Sequence, residues 1–158
     1  MILKRYLVCF LLMMISFSSQ AEIPFFKTLQ VDRENKNLRI NVLFQDQSGF
    51  IWAGTDHGLY TYDGFVFEKV IRDTGAVQMN ISCNAEDANG ALIVGTEDGI
   101  ILKKTHERFH LLPYRTKGPV RSIIDMGEYG LWVASYGDGI YTMKGSNWKK
   151  ISGIADNF

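Results

Sequence analysis

The sequence predicts an all-β protein, a partial β-propeller of about three four-stranded antiparallel blades in an incomplete ring. Three observations carry this. The string Gly49-Phe50-Ile51-Trp52-Ala53-Gly54-Thr55 returns as Gly90-Ala91-Leu92-Ile93-Val94-Gly95-Thr96 and again as Gly130-Leu131-Trp132-Val133-Ala134-Ser135. Glycine to glycine, the steps from 49 to 90 and from 90 to 130 are 41 and 40 residues, within the roughly 40 to 50 residues of one propeller blade. Turn residues punctuate each unit so closely that only short strands fit between them. Closed rings use about 4 to 8 blades, so three leave the ring open.

Residues 1–21 have the layout of a cleaved export signal: basic Lys4 and Arg5, an apolar run over 7–17, then Ser18-Ser19-Gln20-Ala21 with cleavage expected after Ala21. The apolar run is well short of the ~20 residues of a membrane-spanning helix. Cys9 lies inside this run behind Tyr6-Leu7-Val8 and does not fit a lipid-attachment site. The mature chain is therefore expected in the periplasm or outside the cell. Residues 22–39 form a lead-in, in which Pro24 to Leu29 is a candidate outermost strand.

Blade 1 is expected over 40–70, with strands over 40–45, 50–54, 59–62 and 65–70. Asp46 and Asp63 can bond their own downstream backbone, and Gly49, Gly58 and Gly64 open the turns. The second strand is apolar almost throughout, as a sheet sandwiched between neighbours requires. Blade 2 is expected over 80–112, with strands over 81–86, 92–95, 100–103 and 109–112 and turns at Asp87-Ala88-Asn89-Gly90 and Glu97-Asp98-Gly99. Blade 3 is expected over 119–151, with strands over 120–126, 131–134, 140–143 and 148–151 and one extra residue in the turn Ser135-Tyr136-Gly137-Asp138-Gly139. Residues 152–158 read as the start of a fourth blade. Trp52, Ile93 and Trp132 fall at one register and are expected to fill the wedges between blades.

Loss of Lys4 and Arg5 leaves 15 basic against 17 acidic residues, a net charge of −2. The basic residues are scattered, which argues against nucleic acid as a partner. Of two cysteines only Cys83 remains after processing, so no internal disulfide is possible.

The run Gln45-Asp46-x-x-Gly49-Phe50-Ile51-Trp52-Ala53-Gly54-Thr55-x-x-Gly58-Leu59-Tyr60-x-Tyr62-Asp63-Gly64 resembles the two-component-regulator propeller repeat. Blade 2 keeps Asp87, Gly90, Gly95, Thr96 and Gly99. Blade 3 keeps Gly130, Trp132 and Gly139 but has Ala134-Ser135 for Gly-Thr and no turn aspartate. The resemblance implies the exported sensor region of a hybrid histidine kinase or diguanylate cyclase, which detects an extracellular ligand, in several branches an oligosaccharide. It implies as partners the remaining blades and a transmembrane kinase or cyclase, and it makes this chain the opening stretch of a larger receptor.

One string points elsewhere. His106-Glu107-Arg108-Phe109-His110 spells HExxH, a zinc-protease signature when it lies on a helix. The repeat register puts His106 in a turn and His110 on a strand, where four residues span roughly 13 Å, too far for one metal. The Asp46 and Asp87 turns each offer one carboxylate, whereas calcium takes about 6 to 8 oxygens. No metal, cofactor or catalytic residue is expected.

Ligand-contacting residues are expected on the face shared by the turns between second and third strands and by the interblade loops: Asp56, His57, Glu97, Asp98, Tyr136 and Asp138, with Arg72, Asp73, Arg115 and Lys117 nearby. Tyr136, exposed beside carboxylates, would suit the face of a sugar ring. The alternative reading is a piece of an exported propeller enzyme, a lyase or glycosidase, with its catalytic groups in other blades.

Overall fold

The computed structural model describes residues 27–32, 34–70, 79–106, 108–145 and 147–151. The export signal, Arg72 and Asp73, the expected fourth-blade start and part of the lead-in lie outside the described residues. Twelve strands among the described residues form three separate antiparallel sheets, each a meander in chain order. Blade 1 contains β1 (Ile40–Gln45), β2 (Ile51–Thr55), β3 (Gly58–Tyr62) and β4 (Phe67–Lys69). Blade 2 contains β5 (Ile81–Glu86), β6 (Leu92–Thr96), β7 (Ile100–Thr105) and β8 (Arg108–Arg115). Blade 3 contains β9 (Val120–Asp125), β10 (Leu131–Ser135), β11 (Gly139–Lys144) and β12 (Asn147–Lys150). The first strands touch in succession, β1 against β5 and β5 against β9, so they are the inner strands of an arc of propeller.

Burial follows the expected sandwich. All five residues of β6 are buried, because this strand has a blade on both sides. One core lies between blades 1 and 2, where Trp52 and Leu59 meet Ile81, Leu92, Val94, Leu102 and Phe109. The second lies between blades 2 and 3, where Cys83, Ile93 and Ile101 meet Val120, Ile123, Leu131 and Val133. Burial pushes the Cys83 thiol up to about 12, so it stays protonated and inert. Trp52 and Ile93 fill the two wedges as the sequence implies. Trp132 is half-buried on the opposite face of blade 3, where no blade lies among the described residues.

Glycine marks where blades approach most closely. A Cβ on Gly54 would lie 2.6 Å from Ile81 Cγ2, and one on Gly95 would lie 2.6 Å from Val120 Cγ1. The third glycine is different. Hydrogen bonds from Asp46 N to Phe50 O, Asp87 N to Ala91 O and Met126 N to Gly130 O align Gly130 with Phe50 and Ala91, so Tyr129 takes the place of Gly49 and Gly90. That turn closes as a short 3-10 segment, Gly127–Tyr129. Gly130 is required there for another reason, since a Cβ would sit 2.2 Å from the Met143 carbonyl oxygen.

Most strand ends shift by a residue or two from expectation, and four departures bear on the packing. β4 starts at Phe67 rather than Phe65, because the Asp63 carboxylate accepts both Phe65 N–H and Val66 N–H and holds them in the turn. β8 runs on through Pro113 to Arg115, which an outer-edge strand tolerates because its outer N–H groups have no ladder partner. Its register slips by two residues between the pairs Leu102 with Leu111 and Ile100 with Arg115, placing Pro113 in a bulge. β9 ends at Asp125, where the 3-10 turn begins. Residues 27–32 and 34–39 contain no strand, so the candidate outermost strand does not extend into Lys27 to Leu29. Instead this lead-in lies against blade 1, with Asp32 Oδ2 accepting the Tyr60 hydroxyl at 2.8 Å.

The turn aspartates close their turns and use the spare oxygen on the neighbouring strand. Asp46 accepts Phe50 N–H and, at 2.7 Å, the Trp52 indole N–H. Asp87 accepts Asn89 N–H and Ala91 N–H and pairs with Lys103 at 2.6 Å. In blade 3 the same position is Met126, and the buried Trp132 indole N–H has no partner among the described residues. A buried unpaired donor costs about 1 to 3 kcal/mol. Met126→Asp is therefore expected to stabilise the fold by about 1 kcal/mol, read as a shifted urea midpoint, with Met126→Ala giving no gain.

Candidate functional site

One end of the arc is organised by backbone bonds that recur in every blade. Asp56 N donates to Arg39 O, Glu97 N to Asn80 O and Tyr136 N to Pro119 O, tying each turn after the second strand to the residue that leads into the inner strand. These three turns and three entry segments form the mouth. All six predicted ligand-facing residues are on it, and they divide by environment.

Each inner strand carries a bulge at the same place. The pairing slips between Ile40 and Val42, between Ile81 and Cys83, and opposite Ala134 and Ser135, leaving Asn41, Ser82 and Arg121 as the bulged residues. A bulge turns its side chain out of the ladder. Asn41 Nδ2 uses this to donate to Ile81 O at 2.8 Å and to Asn80 Oδ1 at 2.8 Å, and Ser82 Oγ donates to Val120 O. Both staple one blade to the next. Arg121 instead reaches back to blade 2, donating from Nη1 to Glu97 Oε1 at 2.6 Å, while its guanidinium carbon sits 5.7 Å from the Tyr136 ring centroid. Glu97, Arg121 and Tyr136 thus form one cluster across the gap between blades 2 and 3, and Tyr136 is 60% exposed.

On blade 1, Asp56 Oδ1 accepts Arg39 N–H at 3.0 Å and contacts His57 Nδ1 at 2.9 Å. The hydrogen bond from His57 is the main cause holding the Asp56 carboxyl below its ordinary value, against a smaller upward push from desolvation. Asp98 is exposed, and its carbonyl accepts Arg115 Nε at 2.9 Å. Lys117 is exposed at the entry to blade 3.

Asp138 was expected to face a ligand and does not. It is 6% exposed, with Oδ2 accepting Lys117 N–H at 2.7 Å and the Tyr141 hydroxyl at 2.8 Å, and with Lys150 3.7 Å from Oδ1. The extra residue in this turn folds the carboxylate inward, where it fastens the turn to the entry loop. Desolvation pushes its pKa up, but the bonds from Lys117 and Tyr141 and the Lys150 charge outweigh it, and the carboxyl lies below 3.8. Desolvation, with the Asp138 charge, raises the Tyr141 hydroxyl to about 12. A depressed carboxyl stabilises the fold above its unfolded value and loses that contribution as pH falls through the folded one. Asp138→Asn is accordingly expected to lower stability at pH 7 and to flatten the acid limb of a stability profile below about pH 4, the unfolded carboxylate range.

Behind Asp138, Tyr141 stacks on Trp148 at 4.9 Å and Trp148 on Tyr114 of blade 2 at 5.1 Å, both at 9°. This three-ring stack locks the outer edges of blades 2 and 3. Position also decides the HExxH string. His106 is in the hairpin turn with φ 56°, and His110 is exposed on β8 opposite Lys103. Glu107 lies outside the described residues. The two histidines are on a hairpin, not on one helix face.

The inner-strand residues Asn41 and Arg121, and Arg39 at the entry to β1, were missed from sequence. A signal existed: each inner strand has a polar residue at its second position, Asn41, Ser82 and Arg121, where a buried strand would be apolar.

With this geometry in view, residues 27–57 match the family model described as two component regulator propeller. The match spans the lead-in from Lys27, β1, β2 and the first mouth turn through His57, and blades 2 and 3 have the same strand order and the same bulge as blade 1. No curated protein matches the chain. Among solved structures, the chain is similar to the extracellular domain of a hybrid two component system from B. thetaiotaomicron, with TM-score 0.66, 23% identity, and 80% of this chain and 17% of that one covered. A second such extracellular domain from B. thetaiotaomicron gives TM-score 0.60 and 21% identity, covering 82% of this chain and 19% of the other. The propeller fold is shared with both. The chain spans less than a fifth of the length of either structure.

Proposed function

We propose that these three blades are part of the ligand-sensing propeller of an exported signal-transduction sensor, and that the ligand contacts the mouth. The observation that carries this reading is the regulator propeller repeat at residues 27–57, supported by the two solved neighbours, which are described as extracellular domains of hybrid two component systems. The role assigned is binding rather than catalysis. Two of the mouth carboxylates are tied down by the fold, Asp138 by two donors and the Lys150 charge and Asp56 by Arg39 N–H and His57, as suits a rigid receptor surface. The exposed groups Tyr136, His57, Asp98 and Lys117 would meet an oligosaccharide or other small extracellular ligand, and the output would pass to a membrane kinase or cyclase. The chain is exported in this reading.

The test is an NMR titration of the purified protein with neutral and acidic oligosaccharides. Shifts confined to the mouth residues Asp56, His57, Glu97, Arg121 and Tyr136 are the expected result. Shifts located only on the outer strands β4, β8 and β12 would sink the assignment, and no shift with any glycan would rule out an oligosaccharide as the ligand.

A further inference from the structure

Arg121 stands where the other two blades place a staple to the following blade, yet it reaches back to the preceding one. The side chain crosses to Glu97 and lies under Tyr136, and this uses one edge of the guanidinium only. Among the described residues the opposite edge, Nε and Nη2, carries no hydrogen bond. Its side chain is 49% exposed, and the Tyr136 ring beside it is open to solvent. A guanidinium is a planar fork whose free edge matches a carboxylate through two parallel N–H···O bonds, a match that neutral hydroxyls do not reproduce. The charge around the ring agrees. Arg121 and the exposed Lys117 bracket the turn that holds Tyr136, whereas Glu97 is the only exposed or half-exposed carboxylate among the described residues found in contact with them, Asp138 being buried against Lys150, Tyr141 and the Lys117 backbone. Local charge is therefore positive by one.

We propose that Arg121 is the specificity-determining residue of the mouth, and that the ligand it selects carries a carboxylate on a ring. The carboxylate takes the free Nε and Nη2 edge, Nη1 stays on Glu97, and the ring of the ligand lies over Tyr136. This rests on the mouth being the ligand-binding face. A sugar acid and an aromatic acid both supply this chemistry.

The experiment titrates the full chain at pH 7 with glucuronate, benzoate, acetate and glucose, following the Arg121 Nε–H and the Tyr136 ring by NMR. At least one of the two ring acids is expected to bind about tenfold or more tighter than both acetate and glucose, since a charge-assisted bidentate pair exceeds a neutral contact by that margin or more. Which ring acid responds identifies the source. Arg121→Gln should abolish the preference, Arg121→Lys should weaken it by keeping the charge without the fork, and Glu97→Gln should strengthen acid binding by releasing the second edge. Acetate matching the ring acids, Arg121→Gln binding them unchanged, or no response to either acid overturns the proposal. Glucose shifting the mouth as strongly as the acids overturns it too, while leaving the mouth as the binding face.

Discussion

Gly95→Ala is expected to destabilise the protein by about 3 kcal/mol, the upper part of the range for overpacking a filled core. The added methyl would lie 2.6 Å from Val120 Cγ1 and 2.7 Å from both Val120 Cβ and Cys83 Sγ, against a preferred separation of about 3.5 to 4.0 Å between carbons. Rotating Val120 gives no relief, because its Cβ is itself too close and the residue is fully buried. The two blades must move apart, which weakens the whole second core. Gly54→Ala should act alike at the first interface, against Ile81 and Val42. Gly49→Ala is the contrast, since nothing lies within 4 Å and only its φ of 89° is strained. It should cost about 1 kcal/mol. Urea unfolding of the three variants measures this, and a Gly95→Ala cost no larger than that of Gly49→Ala would refute the close-packed interface. Blade 3 offers a natural comparison, with Ala134 at the same register, where among the described residues no inner strand lies ahead.

Trp52→Ala is expected to cost about 3 to 5 kcal/mol, a large part of the roughly 5 to 15 kcal/mol that holds a domain folded. Trp52 is 4% exposed, meets Phe109 of blade 2 edge-on at 6.5 Å, lies under Lys104 and donates its indole N–H to Asp46. Trp52→Phe keeps most of the apolar contact and removes the donor, so its cost isolates the Asp46 bond at about 1 kcal/mol. Denaturant melts of both variants provide the check, and equal costs for Phe and Ala would show that the hydrogen bond rather than the buried area carries the residue. Trp132→Ala should cost less than Trp52→Ala, because Trp132 is half-buried and lies outside both cores.

The contrast between these tryptophans shows how far the sequence could be read. Trp52 and Trp132 occupy the same register, opposite Phe44 and Thr61 in one blade and opposite Ile124 and Thr142 in the other. Spacing fixes register, but burial depends on the sheet that packs in front. The mouth divides in the same way. That its turns would share one face follows from strand alternation, and Tyr136 is exposed there as expected. The carboxylates expected beside Tyr136 separate: Glu97 reaches it only through Arg121, and Asp138 turns inward to bind Lys117 N–H. One extra residue in a turn reads as a loop pushed outward, and only the donors waiting in the next segment reverse it.

By itself the sequence determined the period, the three blades, their strand order and the turn chemistry of Asp46, Asp63 and Asp87. These are set by neighbours within a few residues, where glycine, aspartate and apolar runs act locally. The tertiary structure decided what meets across the blades: Gly95 against Val120, Arg121 between Glu97 and Tyr136, and Tyr114 on Trp148. Those pairs lie 15 to 34 residues apart in the chain, and their contact depends on the bulge and the packing angle of each sheet, which no local pattern encodes.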